Sequence, residues 1–581
     1  MQINPRRATL LTGLLIGLSF PPLPFPFLLW VAWVPLLLAV EQAAAWPGYT
    51  GSLWQRSKRY WRMLGYLYPG FLVLNLVGGY WLMLTGWGGL KDPLESVLAA
   101  VAGSLASLVN ALFMSLPVLT YLFIRRRLAR GLAWAAFIAL WLSFEYGHLR
   151  WDLSWSWFNL GNAFAWWPSY IQYYEWTGVL GGSFFVLLSN VLVLRLWLLL
   201  REEQTPLAEP TQGLLPRVRR WLRRIFGPGT PHRLALGIVG LWVLPWLVAP
   251  AFLDSGRAVY QPSGYINVRV VQPNIDPYAD DREGVNDLQR VQQLVALMAS
   301  QPLDSVDLVV MPETTLPGVI EESYVPIVWH FEPLRELMRK HPRLSILSGM
   351  VSYKVYPRGM GKTVTARQWG NDHVDVYNAA VCLPDSVIYH KGMLVPLTER
   401  MPFAEFLHDV LGDLHIDLGG GLGSYGLPDS VFPLRTRNGV KVGTMICYES
   451  VFGDFSREMV ARGAQVGAIV TNDAWWSQTS GYIQHAAYAS LRAIEYRRAI
   501  ARSSNTGISQ FVDAQGYPHQ QLGWGRQGIL DRRLPLYTHQ TLFVRWGDWP
   551  GRLALLPALV FLGFALVQPR RRVRNVEENP A

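Results

Sequence analysis

The sequence predicts a protein of two parts, a helical membrane domain of several spans and one large α/β domain. Hydrophobic residues make up 51% of the 581 residues and charged residues only 16%, which is too little charge for a wholly soluble chain. The 26 Trp and 25 Tyr fit a membrane protein, whose interfaces are rich in these amphipathic rings. Long apolar runs lie near both ends of the chain, and a block of mixed polarity separates them.

Eight apolar runs are candidate membrane-spanning helices. The first two are short, and the prolines between them favour a tight hairpin. The runs are 8–20, 25–40, 64–84, 97–124, 132–148, 177–200, 234–252 and 553–567. They predict a membrane domain of seven helices over residues 1–253, an α/β domain over 254–548, an eighth helix within 549–569 and a basic tail over 570–581.

The arginines predict the orientation of these helices. If the eight runs alternate across the membrane, the basic groups at 6–7, 56–62, 125–127, 217–224 and 570–572 all fall on one side. By the positive-inside rule that side is the cytoplasm, so both termini are expected there and the α/β domain is expected outside. The net charge of +11 is explained by this topology, and no nucleic-acid partner is expected.

A tryptophan-rich connection over residues 151–176 has two interpretations. Its rings could form an aromatic belt at the membrane interface. They could also form an amphipathic arm that guides lipid toward a site in the α/β domain. The sequence does not separate these two roles.

The central block predicts alternating strands and helices, which is typical of an α/β domain. Strand-like runs lie at 266–271, 308–311, 345–351, 377–382, 441–447 and 468–472, and helix-like runs at 285–299, 332–340, 453–461 and 485–496. The segment 492–502 is expected to form a helix followed by a strand beneath the site. A glycine-rich stretch at 419–423 would suit a mobile lid.

Three strand ends of this block carry residues suited to nucleophilic catalysis. Cys447 ends an apolar strand, and a catalytic cysteine needs a base or a fixed positive charge near its thiol. Glu313 and Lys391 each follow a strand and could supply these groups. The second cysteine, Cys382, is interpreted as a core residue, although a disulfide with Cys447 is a formal alternative that would silence the nucleophile.

The order Glu, Lys, Cys resembles the nitrilase (carbon-nitrogen hydrolase) superfamily. The motifs Lys391-x-x-Leu394-Val395-Pro396-x-x-Glu399, Cys447-Tyr448-Glu449 and Asn472-Asp473-Ala474-Trp475-Trp476 are similar to those of its membrane-bound branch, the apolipoprotein N-acyltransferase family. The resemblance implies an α-β-β-α sandwich with the site at one end of both sheets. One departure is the turn before Glu399, where that family commonly has a glycine and this chain has Leu397-Thr398.

The resemblance also implies roles for these residues. Glu313 would be the general base and acid, Lys391 the oxyanion stabiliser and Cys447 the nucleophile. The supporting residues would be Glu399, Tyr448 and Glu449, and Asn472, Trp475 and Trp476 would lie near the substrate pocket. No metal or organic cofactor is implied.

The implied reaction is lipoprotein maturation in the bacterial inner membrane. A membrane phospholipid would donate an acyl chain to Cys447 as a thioester, and the α-amino group of a diacylglyceryl-cysteine at the N-terminus of an apolipoprotein would accept it. Two alternatives remain: a membrane-anchored nitrilase-type amidase that uses water as the acceptor, and a transporter that carries an inactive nitrilase domain.

Overall fold

The computed structural model describes residues 3–46, 53–85, 93–202, 230–253, 261–276, 286–358, 363–406 and 424–569. The predicted lid at 419–423, the basic group at 217–224 and the tail at 570–581 lie outside these ranges.

The apolar runs of the membrane domain form helices, several of which extend beyond the runs. They are α1 (Pro5–Gly17), α2 (Val34–Ala44), α3 (Leu53–Gly79), α4 (Pro93–Arg125), α5 (Arg130–His148), α6 (Tyr174–Glu202), α7 (Thr230–Leu253) and, after the α/β domain, α13 (Trp549–Val567). The basic group at 56–62, expected in a connection, lies within α3. Lysine and arginine are good helix formers, and their long side chains can reach toward water from a helix end.

Six helical segments of the described residues are long and apolar enough to cross a membrane. They are Pro26–Ala44, Ser57–Leu84, Ala99–Arg125, Tyr174–Arg201, Pro231–Leu253 and Trp549–Val567. Helices α1 and α5 are outside this set, and α1 has only 13 residues. Helix α1 packs so closely on α3 that a Cβ on Gly13 would lie only 1.8 Å from the carbonyl oxygen of Gly70.

The central block is an α-β-β-α sandwich, as expected. Its strands are β1 (Gly264–Gln272), β2 (Leu308–Val310), β3 (Val319–Glu321), β4 (Ser345–Tyr356), β5 (Arg367–Trp369), β6 (Asp372–Leu383), β7 (Ile388–His390), β8 (Leu434–Arg435), β9 (Lys441–Ile446), β10 (Val466–Thr471), β11 (Ile500–Ser504), β12 (Ser509–Val512), β13 (Pro518–Leu522) and β14 (Gly528–Leu536). One sheet has the order β14-β1-β2-β4-β6-β5, with β3 beside β4 and β7 beside β6. The other has the order β13-β12-β11-β10-β9-β8.

Helices cover the outer face of each sheet. They are α8 (Asp287–Met298) and α9 (Glu332–Lys340) on the first sheet, and α10 (Gly453–Ala461) and α11 (Ser480–Tyr496) on the second, with a short α12 (Leu542–Trp546) leading to α13. Alternate residues of β2 divide between the two cores: Leu308 and Val310 join the cluster between the sheets, and Val309 joins the cluster under α8 and α9. Because both faces of such a strand are buried, its sequence is continuously apolar.

The tryptophan-rich connection is a packed link between the membrane domain and the sandwich. Trp157 is fully buried and its ring lies 5.5 Å from that of Trp476 in the sandwich, whereas Trp166 and Trp176 are exposed. The backbone carbonyl of Ser154 accepts a hydrogen bond from the Tyr448 hydroxyl at 2.9 Å. Much of the connection therefore lies inside the protein, next to the strand end that carries Cys447.

Candidate active site

Cys447 lies where β9 ends, in a backbone conformation that residues with a Cβ rarely adopt. Its φ is +49°, which costs a non-glycine residue about 1 kcal/mol or more. The side chain is 6% exposed. The carbonyl oxygen accepts a hydrogen bond from Ser450 Oγ at 2.8 Å and lies 3.1 Å from His485 Nε2. The strained turn is therefore held by a residue of the same turn and by one of α11.

Lys391 follows β7 and places its ammonium group between two carboxylates. Its Nζ donates to Glu313 Oε1 at 3.0 Å and to Glu399 Oε1 at 2.8 Å, and its side chain is 1% exposed. Burial opposes the charge, but the two carboxylates outweigh it and raise the pKa of Lys391 well above its usual value. Lys391 is therefore a fixed cation at neutral pH.

Glu313 follows β2 in a tight turn against β4. A Cβ on Gly349 of β4 would lie 2.5 Å from Glu313 Cα, so only glycine permits this close approach. Glu313 Oε1 accepts from Lys391 and from Asn378 Nδ2 at 2.9 Å, and its Oε2 accepts from the backbone N–H of Asn472 at 3.1 Å. The carboxylate is thus oriented by three donors, two that follow the ends of β7 and β10 and one within β6.

Glu313 and Lys391 both act electrostatically on the Cys447 thiol. Burial raises the pKa of the thiol well above its usual value, the charge of Glu313 raises it further, and the charge of Lys391 lowers it. The resting thiol is therefore protonated and depends on a base to become nucleophilic. The structure brings together the three side chains that the sequence predicted.

Glu399 lies in the turn that carries the Leu397-Thr398 departure. Leu397 has a φ of +68°, a conformation that glycine adopts without cost. The turn nevertheless delivers the carboxylate: Glu399 Oε1 accepts from Lys391 and from Asn378 Nδ2, and its Oε2 accepts from the backbone N–H of Val395 at 2.7 Å.

Glu449 ties the lysine segment to the cysteine segment through hydrogen bonds from both. Its carboxylate accepts from the Tyr389 hydroxyl at 2.8 Å and from the backbone N–H groups of Gly392 at 2.6 Å and Ile446 at 2.7 Å. Burial raises the pKa of Glu449 to about 7 although these three bonds favour the anion. Its place is therefore that of a buried brace between β7 and β9.

Asn472, the residue after β10, contributes to the site mainly through its backbone. Asn472 N–H orients Glu313, and the Asn472 side chain accepts from the N–H of Ala474 at 3.3 Å. The ring of Trp476 packs against those of Trp81 and Trp157, whereas Trp475 is 43% exposed. Trp476 therefore packs against the membrane domain.

Three residues of this site were missed by the sequence reasoning. Asn378 bridges Glu313 and Glu399, Tyr389 holds Glu449, and His485 contacts the carbonyl of Cys447. Asn378 had a usable signal, since it is an amide within the mostly apolar run 377–382, and a buried polar side chain needs a partner. Tyr389 and His485 lie in patterns that an ordinary strand or helix also has.

A cavity of about 440 Å³ adjoins the site at Gly392, the residue after Lys391. Its walls come from the tryptophan-rich connection, from the turn after Lys391 and from the start of α10, so it lies between the membrane domain and the sandwich. Many of its side chains are apolar, among them Trp151, Met393 and Phe455. Within the described ranges, no group of three or more His, Cys, Asp or Glu side chains is placed to hold a metal ion.

Comparison with known proteins covers nearly the whole chain. Residues 267–542 match the Carbon-nitrogen hydrolase family, and residues 12–192 match the Apolipoprotein N-acyltransferase N-terminal domain. The apolipoprotein N-acyltransferase of Chlorobaculum tepidum is 29% identical over 97% of this chain and 96% of its own length. That of Geobacter metallireducens is 26% identical over 94% and 92%.

Among solved structures, a mutant of the Nesterenkonia AN1 amidase from the nitrilase superfamily aligns with 50% of this chain and 96% of its own, at 17% identity and a TM-score of 0.32. The two family matches lie side by side along the chain, one on the membrane domain and one on the sandwich. The relatives from Chlorobaculum and Geobacter span both. The chain therefore belongs to the apolipoprotein N-acyltransferase family, a membrane-bound branch of the carbon-nitrogen hydrolases.

Proposed function

We propose that this protein moves an acyl chain from a membrane phospholipid, through a thioester on Cys447, to the α-amino group of the diacylglyceryl-cysteine that begins an apolipoprotein. The observation that carries the proposal is the buried ammonium of Lys391, held between Glu313 and Glu399 and acting on the Cys447 thiol. Such a site suits attack on an ester or amide carbonyl, and the relatives named above give the class of acceptor.

In the first half-reaction, Glu313 takes the proton of the Cys447 thiol. The thiolate attacks the ester carbonyl of the phospholipid, and Lys391 stabilises the negative charge that develops on the carbonyl oxygen. The tetrahedral intermediate then expels the lysophospholipid oxygen, which takes the proton from Glu313. The acyl chain remains on Cys447 as a thioester.

In the second half-reaction, the amine of the acceptor attacks the thioester. Glu313 accepts a proton from the amine, and Lys391 again stabilises the oxyanion. The thiolate leaves and is reprotonated, so the enzyme returns to its starting state with an amide formed and no other reactant consumed. Because one product leaves before the second substrate reacts, ping-pong kinetics are expected.

We place the sandwich on the outer face of the inner membrane. The arginine distribution supports this orientation, and so do the contacts at helix ends. The sandwich residue Gln484 contacts Pro21 after α1, and Asp548 pairs with Arg150 after α5. At the opposite helix ends, Glu41 of α2 pairs with Arg125 of α4. Successive helix ends therefore lie alternately near the sandwich and away from it. This is the pattern that eight membrane crossings would produce, with α1 and α5 counted among them.

The cavity beside Gly392 supports lateral entry of lipid substrates. It lies at the junction of the membrane domain and the sandwich, and apolar side chains contribute much of its wall. A soluble amide would need no such junction, which favours acyl transfer between lipids over the amidase alternative.

Intact-protein mass spectrometry tests the proposal. Wild-type protein given phospholipid alone should gain the mass of one acyl chain at Cys447, and hydroxylamine should remove it, as expected of a thioester. A diacylglyceryl-cysteine peptide should then discharge the chain into an N-acylated product. Release of free fatty acid at the same rate without the peptide would favour the amidase, and transfer with no adduct under any condition would exclude covalent catalysis.

A further inference from the structure

Two adjacent residues of α11, Gln484 and His485, link the membrane domain to the backbone of Cys447. Both are buried, Gln484 at 1% exposure and His485 at 0%. Neither belongs to the motifs that predicted the site. Gln484 has polar contacts with the membrane domain, and His485 has polar contacts with the turn that carries Cys447. Together these contacts join parts of the protein that are far apart in sequence.

His485 faces the nucleophile. Its Nε2 lies 3.1 Å from the carbonyl oxygen of Cys447 and 2.8 Å from Ser450 Oγ, which donates to the same carbonyl. Its Nδ1 lies 2.9 Å from Asp473 and 3.0 Å from Arg502. A carbonyl oxygen can only accept, so a donor at Nε2 is the arrangement that satisfies this contact.

The groups behind His485 are charged and closed off from solvent. Asp473 and Arg502 are both 0% exposed, and Arg502 Nη2 donates to Asp473 Oδ2 at 2.8 Å. Burial works against the ionised form of Asp473, but the charges of Arg502 and His485 outweigh it and hold its pKa well below the usual range. The buried pair of Asp473 and Arg502 fixes the orientation of the imidazole ring. The ring in turn holds the Cys447 peptide in its left-handed conformation.

Gln484 faces the membrane domain. Its Nε2 donates to the carbonyl oxygens of Pro21 at 2.6 Å and Gly78 at 2.8 Å. Its Oε1 accepts from the indole N–H groups of Trp81 at 3.0 Å and Trp157 at 2.6 Å. Two acceptors on one side and two donors on the other determine which way the amide points.

We propose that Gln484 and His485 act as a positioning pair, through which docking of the membrane domain sets the backbone of Cys447 and so the direction of its thiol. The proposal rests on the assignment of Cys447 as the nucleophile. His485 is a positioning residue because it touches the peptide of Cys447 and not the reacting carbonyl. Since the two residues are neighbours on one helix, a shift of Gln484 in its membrane-domain pocket displaces His485 as well.

Two substitutions of His485 separate the carbonyl contact from the aspartate contact. The amide of His485→Gln lies near the position of Nε2 and can still donate to Cys447, whereas that of His485→Asn lies near Nδ1 and cannot. We expect His485→Gln to form acyl-enzyme within about threefold of the wild-type rate and His485→Asn to be about 100-fold slower, with little change in the KM for phospholipid. Slow acylation by His485→Gln would overturn the positioning role, whether or not His485→Asn folds.

The coupling to the membrane domain is tested at Gln484. In Gln484→Glu a carboxylate faces the carbonyl oxygens of Pro21 and Gly78, so this contact becomes repulsive. We expect slow acylation like that of His485→Asn, although residue 484 does not touch Cys447. The matched control is Tyr488→Phe on the same helix, which removes only the bond to the carbonyl of Trp157 and should leave the rate near wild type. Equal rates for Gln484→Glu and Tyr488→Phe would refute the coupling.

Alkylation of Cys447 by iodoacetamide, followed by peptide mapping, separates failure of this inference from failure of the proposed function. If wild-type protein forms no acyl adduct, the proposed function fails, yet the alkylation profiles still decide the positioning. A profile against pH that shifts in His485→Asn and Gln484→Glu but not in His485→Gln supports the pair. Identical profiles in all four proteins would rule it out.

Discussion

The ammonium group of Lys391 donates to the carboxylate of Glu313 over 3.0 Å, and both side chains are almost closed off from solvent, at 1% and 7% exposure. The two charges act on the Cys447 thiol in opposite directions, since Glu313 raises its pKa and Lys391 lowers it. Loss of either residue should stop acyl transfer. The ionisation of the thiol should nevertheless move in opposite directions in the two variants, which allows their roles to be told apart.

The first prediction concerns Glu313→Gln. Removing the carboxylate removes a charge that raises the pKa of Cys447, so the thiol should ionise at lower pH. Iodoacetamide reacts with the thiolate, whose fraction below the pKa rises about tenfold for each unit by which the pKa falls. Near neutral pH we therefore expect alkylation of Cys447 to become faster by about tenfold per unit of that fall. Acyl transfer should fall by about 100-fold or more, because the general base is lost. Slower alkylation than in wild type would mean that the charge of Glu313 does not face the thiol.

The second prediction concerns Lys391→Met, which should have the opposite effect on the thiol. Without the ammonium, the pKa of Cys447 rises further and alkylation slows at every pH below that pKa. Acyl transfer should also be lost, and Lys391→Arg should not restore it, because the planar guanidinium does not fit a cage built for a compact ammonium. Lys340→Met, at an exposed position of α9, is the control for loss of a lysine. An active Lys391→Met protein would remove the lysine from the mechanism.

The third prediction concerns Asn378→Asp. The amide Nδ2 of Asn378 donates to both Glu313 and Glu399 at 2.9 Å, and a carboxylate there would repel both. We expect acyl-enzyme formation near neutral pH to fall by about 100-fold. Protonation of the introduced carboxyl restores a donor, so the rate relative to wild type should increase as the pH falls. A ratio that stays constant with pH would contradict this role of the amide.

The fourth prediction separates the two cysteines. Cys447→Ala should abolish acyl-enzyme formation and transfer, because no other described thiol lies in the site. Cys382 is buried in β6 within the core between the sheets, and burial raises the pKa of its thiol to about 12. Both Cys382→Ser and the better-packed Cys382→Ala should keep most activity. An adduct that persists in Cys447→Ala and disappears in either Cys382 variant would show that the nucleophile is misassigned.

The buried strands, and the candidate residues Glu313, Lys391 and Cys447 that follow three of them, could be predicted from the sequence because their signals are local. A strand that is buried on both faces, such as β2 or β10, has a nearly unbroken apolar sequence. A charged residue soon after this run marks the point where the strand ends. The helix and strand over 492–502 were also predicted, and the structure has α11 end at Tyr496 and β11 begin at Ile500. The motif residues were found by resemblance as well as by pattern.

The remaining elements depend on contacts between distant parts of the chain. Strand β14 pairs with β1 over nine residues, yet it contains Asp531, Arg532 and Arg533 because it lies at a sheet edge that side chains can leave for water. The bonds of Gln484 join segments more than 300 residues apart. No periodicity within a window of sequence can reveal such a partner, so the link between the membrane domain and Cys447 emerged only from the structure.

The last prediction concerns orientation, and it separates eight crossings from six. In a background of Cys447→Ala and Cys382→Ala, single cysteines are introduced at two exposed positions: Lys340→Cys in the sandwich and Lys58→Cys near the start of α3. If α1 and α5 cross the membrane, the two positions lie on opposite sides. If neither crosses, five spans precede the sandwich, and both positions lie on the same side. A membrane-impermeant maleimide applied to spheroplasts should label Lys340→Cys at once and Lys58→Cys only after the membrane is permeabilised. Immediate labelling at both positions would overturn the eight-span topology but would leave the sandwich outside. Labelling of Lys58→Cys alone would place the site in the cytoplasm, away from the lipoproteins it is proposed to acylate.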